Sequence, residues 1–180
     1  MSINKSDIYE KLMSFKNPNH GFDVFLTLSM QNRDIPNASV YIGDSVKIKF
    51  ESSQDCYLTL IDIGTSGKAS VIVPSFFNID NFVKAGKSFY IPDGGTDVAA
   101  VIQGPAGTER LKAFATSKPL NLFDIDFRYM TMNSFSLGYT EFTEKIEMAL
   151  KKLKNEDFSM WADAALDLNI KVQNSFPPVM

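Results

Sequence analysis

Cysteine, histidine and tryptophan each occur once in 180 residues, as Cys56, His20 and Trp161. A lone cysteine excludes an internal disulfide and suits a reducing compartment. One Cys and one His are too few for a tetrahedral zinc centre, so no metal is expected. Nucleophilic devices of the Ser-His-Asp or Cys-His kind need a histidine base. His20 stands between Asn19 and Gly21 in a breaker loop, where a solvated ring is the ordinary outcome. Cys56 falls in a strand-like run on the face shared by Leu58 and Leu60, the setting of a small buried apolar group rather than a nucleophile. Positive charge is also scarce: 18 Lys and Arg against 21 Asp and Glu leave a net charge of -3. No basic cluster is dense enough to follow a phosphate backbone, which argues against nucleic acid as a partner. No apolar run reaches the roughly 18 residues of a membrane helix, and the first seven residues lack an apolar signal core. The expectation is a chain that stays in the cytoplasm or is exported without a signal peptide.

Phenylalanine is abundant, with 15 residues, and 44% hydrophobic against 22% charged residues places the chain among globular proteins rather than disordered ones. Its length fits one domain, residues 1–180, with a helix and loop over 1–20 and a β core over 22–172. Asp7 to Phe15 reads as a short helix with Ile8, Leu12 and Phe15 on one face. Phe22 to Met30 alternates apolar and polar, as do Val46, Ile48 and Phe50 within a second strand. Cys56 to Ile63 is apolar on both faces, which predicts a central strand covered on its back. Further strands are expected over Ser70–Val73, Ser88–Ile91, Asp97–Gln103 and Glu109–Thr116, separated by turn residues. Gln31 to Ser39 reads as a polar loop. Thr140 to Lys154 predicts an amphipathic helix, with Phe142, Ile146, Ala149, Leu150 and Leu153 as its apolar stripe and Glu141/Lys145 and Glu147/Lys151 as ion pairs. That stripe would cover the back of the central strand. Leu166, Leu168, Ile170 and Val172 then alternate in a closing strand. The spacing predicts an immunoglobulin-like antiparallel β-sandwich of about eight strands, with a short N-terminal helix and one amphipathic helix in the C-terminal half.

Few residues offer chemistry. Oxygen-rich Asp93–Asp97 and Asn78–Asn81 lack the spacing of a calcium loop and read as turns. Gly104-Pro105-Ala106-Gly107-Thr108 lacks the Gly-Lys-Ser/Thr ending of a phosphate cradle and precedes a strand. A carboxylate pair for glycoside cleavage could be drawn from any two of 21 acids, and so discriminates nothing. Trp161, Tyr41 and Tyr57 could stack on a sugar, although aromatics of a β fold are usually packed. The feature that stands out is the loop carrying Phe76, Phe77 and Phe82. These rings either plug the end of the fold or anchor a protein partner.

Several short clusters occur in order: Tyr41-x-Gly43-Asp44-x-Val46, Asp55-x-Tyr57-Leu58 with Asp62 and Gly67-Lys68, Ile72-x-Pro74, Asn81 with Ala85-Gly86, Tyr90-Ile91-Pro92 and Gly104-Pro105-x-Gly107-x-Glu109. Together they resemble the bacterial domain-of-unknown-function family 4384, over about Phe22 to Val172, with Trp161-Ala162-x-Ala164 similar to that family's end. The resemblance implies an accessory module of the sort found beside caspase-like peptidase or protein kinase domains, and it transfers no catalytic residue or cofactor. The expected role is a non-catalytic protein-interaction module of a bacterial signalling, secretion or surface system. A carbohydrate-binding effector or surface protein and a cryptic hydrolase are the alternatives.

Overall fold

The period-two runs become strands. A computed structural model of the chain describes residues 5–75, 80–93, 98–124, 135–136 and 139–173. In the first sheet β1 (Val24–Met30) pairs antiparallel with β4 (Ser45–Ser52), flanked by the short β2 (Arg33–Asp34), β8 (Phe89–Ile91) and β9 (Ala100–Val101). The second sheet runs β11 (Phe135–Ser136), β6 (Ala69–Val73), β5 (Cys56–Ile63), β10 (Gly107–Thr116), β12 (Trp161–Lys171) and β3 (Ser39–Tyr41), with β7 (Phe82–Val83) also on β5. The chain is thus mainly β, with helices α1 (Lys5–Ser14) and α2 (Tyr139–Asn155).

The expectation of about eight antiparallel strands needs correction. Twelve strands lie among the described residues, and β12 with β3 is a parallel pair. The supposed loop after β1 holds β2, a 3-10 turn over Pro36–Ala38 and the start of β3. Strands of two or three residues carry no readable alternation, and Gln31, Asn32 and Asn37 adopt positive φ (50°, 62° and 62°) that lets the chain reverse twice. The strand expected over Asp97–Gln103 is only Ala100–Val101 among the described residues. Val172 lies beyond β12 and is exposed rather than buried.

Alternation along the strands builds two cores. Between the sheets, Leu26, Leu28, Val46 and Phe50 meet Leu58, Leu60, Leu111, Ala113, Leu168 and Ile170. On the far side of the second sheet, Ile61, Ile63, Phe114 and Trp161 are covered by Ile8 and Leu12 of α1 and by Ile146, Ala149, Leu150 and Leu153 of α2. The central strand β5 is therefore dry on both faces, as its composition predicts. Each large aliphatic side chain buried this way contributes about 2 kcal/mol, against a few tenths for an exposed helical ion pair. Packing thus outweighs the charge pattern: Glu147 bonds Lys11 of α1 at 2.9 Å instead of its expected partner Lys151. Glu141 and Phe142 lie outside the described side chains.

The breaker loop after α1 is a fitted part rather than a spacer. Asn17 is buried, and its amide donates to the carbonyls of Phe158 (2.6 Å) and Trp161 at the entrance to β12. A Cβ built on Gly21 would lie 2.6 Å from the backbone oxygen of Ser159. Gly21→Ala is therefore expected to cost about 1–3 kcal/mol, because backbone rather than a movable side chain stands in the way. A urea midpoint unchanged from the parent protein would contradict this close approach.

Candidate functional site

Of the three ring residues singled out, Phe76 and Phe77 lie outside the described residues, so only Phe82 can be placed. It sits in β7, is 37% exposed, and packs edge-on against Tyr57 of β5 with centroids 5.4 Å apart. The residues around it are structural ties. Asp55 accepts from the Ala85 amide (2.8 Å) and the Lys84 ammonium (2.7 Å), which holds its carboxyl below the usual range, the Lys84 bond being the larger cause. The Asn81 side chain donates to the Leu58 carbonyl at 2.8 Å, and Gly86, at φ +68°, sends its amide to Ser52. Asp44 likewise accepts from the Tyr41 amide at 2.8 Å and closes the turn into β4. The motif positions Asp44, Asp55, Asn81 and Gly86 therefore fasten turns and strand ends; they do not converge on a reacting atom.

The other proposed chemistry disperses as well. His20 is exposed, with Nδ1 2.9 Å from the Phe22 carbonyl. Cys56 is buried and desolvation pushes its thiol up, away from the reactive thiolate. Trp161 is fully buried, stacked on Phe15 at 5.5 Å, so it cannot serve as a sugar platform. Among the described residues no cluster of three His, Cys, Asp or Glu side chains could hold a metal ion. No described helix is long and apolar enough to cross a membrane.

Two polar constellations escaped the sequence reading. In the first, Lys112 of β10 is fully buried and its ammonium reaches Asp163 of β12 (2.5 Å) and the Phe15 carbonyl (2.6 Å). Asp163 also accepts from the Asn17 amide at 2.7 Å. Burial lowers the Lys112 ammonium from its ordinary value while Asp163 opposes that shift. The signal was a lysine between Leu111 and Ala113, which alternation assigns to an outer face; α1 and the chain after it cover that face.

In the second, Asp62 of β5 and Glu109 of β10 lie beside each other at the end of the inter-sheet core, near the Gly64–Gly67 turn. Desolvation, and then the neighbouring Glu109, push the Asp62 carboxyl up to about 8. Glu109 is raised too, chiefly by burial. Asp62 Oδ1 is buried with no hydrogen-bond partner among the described residues. Two carboxyls so placed share a proton at neutral pH, since both cannot ionise cheaply. A carboxylate in an otherwise apolar strand was the available signal.

The most open feature is the outer edge of β12. In a strand, N–H and C=O of one residue point to the same side and alternate along the chain. The Lys171 carbonyl receives the Ile42 amide of the β3 side at 2.9 Å, and the Trp161 carbonyl receives Asn17, so odd-numbered residues face outward. β3 covers Asn169–Lys171, and Asn17 covers the entrance and bonds the Asp163 side chain. Between them the backbone groups of Asp163, Ala165 and Asp167 have no strand partner among the described residues. A groove of about 610 Å³ lies alongside, walled by Glu10 and Met13 of α1 and by Arg110, Ala165 and Asp167. Arg110 ties the walls together through Glu10 and, at 3.5 Å, Asp167.

No curated protein and no solved structure matches the chain. The family match is shorter than the resemblance over Phe22 to Val172 suggested, leaving out both helices, β1, β2, β11 and β12. From the start of β3 to just past β10, residues 39–119, the chain matches the family described as Domain of unknown function (DUF4384).

Proposed function

We propose that the chain is a non-catalytic protein-interaction module of a bacterial signalling, secretion or surface system, built on an immunoglobulin-like plan. The observation that carries this reading is the unpaired outer edge of β12 beside a groove. Exposed backbone donors and acceptors form a template for another polypeptide, and folds that do not use such an edge commonly cover or charge it. Phe82, half-exposed on the same sheet, adds an aromatic of the type enriched in contact surfaces. Affinity capture with the tagged chain in its native host should retain a partner in fixed stoichiometry, which then binds the purified chain directly. Failure of every captured protein to bind directly would end this reading.

The Asp62–Glu109 pair favours a second reading, the cryptic hydrolase, because adjacent carboxyls that burial pushes up can hold and pass on a proton. Against it, neither the groove beside β12 nor the small cavity near Thr116 and Pro119 is lined by either residue. Turnover of a glycoside or ester substrate that disappears in Asp62→Asn would replace the interaction reading. The carbohydrate alternative loses its best platform with Trp161 buried.

A further inference from the structure

We draw no further inference here: the strongest candidate, the Asp62–Glu109 carboxyl pair beside the Gly64–Gly67 turn, belongs to the second reading already described, and among the described residues no third His, Cys, Asp or Glu joins it to show what it would hold.

Discussion

Lys112→Met is expected to lower the unfolding free energy by about 3–5 kcal/mol, the cost of leaving one partner of a buried ion pair uncompensated. The substitution keeps the volume of the side chain and removes the charge. Asp163, with its side chain 8% exposed, would keep only the Asn17 amide, and the Phe15 carbonyl would lose its donor. The coupled change distinguishes this from mere loss of packing. In the double variant Lys112→Met with Asp163→Ala no unpaired charge is left, so most of the loss should be regained, with an interaction energy of about 2 kcal/mol or more. Urea unfolding followed by the fluorescence of Trp161, packed against Phe15 and Phe114, reads both. If Lys112→Met alone moved stability by less than about 1 kcal/mol, the network would be open to water rather than buried. The pair also holds Phe15 and Asn17, which follow α1, against the second sheet, so the same variant should speed amide exchange at the end of α1 first.

Asp62 leads to the second large effect, and its sign is opposite to that of an ordinary salt-bridged carboxylate. With its folded value raised to about 8, the native state holds a proton that the unfolded chain has already released above the normal carboxyl range. Stability from this group is therefore fully present below about pH 4 and falls as the pH rises toward 8, where the native carboxyl too must ionise. Allowing for partial solvent access and for coupling to Glu109, the decline across that window is about 3 kcal/mol. Asp62→Asn is neutral at every pH and should abolish most of the decline, leaving the variant more stable than the parent at pH 8.5 and close to it at pH 4.5. Thermal midpoints on a pH series test this; a parent whose stability rises steadily from pH 4.5 to 8.5 would show that Asp62 is ionised in the native state.

The placement of strands was legible wherever a run was long enough to show its period. Val46 to Phe50, Cys56 to Ile63 and Leu166 to Ile170 declared which side chains would be dry, and the doubly apolar β5 declared that something must cover its back. α2 was equally plain, because Ile146, Ala149, Leu150 and Leu153 recur at helical spacing. The short strands β2, β7 and β9 were not, since two residues have no period. Glycine and asparagine marked where turns fall, but not that Asp55, Asn81 and Gly86 would tie β7 and the following turn to β5 and to the end of β4.

Composition alone, with one Cys and one His, excluded an internal disulfide and a zinc centre of four Cys and His ligands. It also decided, through local alternation, which faces of the longer strands are apolar. Only tertiary structure decided that Lys112 is buried against Asp163, that Asp62 meets Glu109, and that part of the outer edge of β12 has no strand partner among the described residues. The physical reason is range. Periodicity records what a residue does relative to its neighbours in the chain, whereas Lys112 with Asp163, or the outer edge of β12 with β3, depends on which distant strands come to lie side by side.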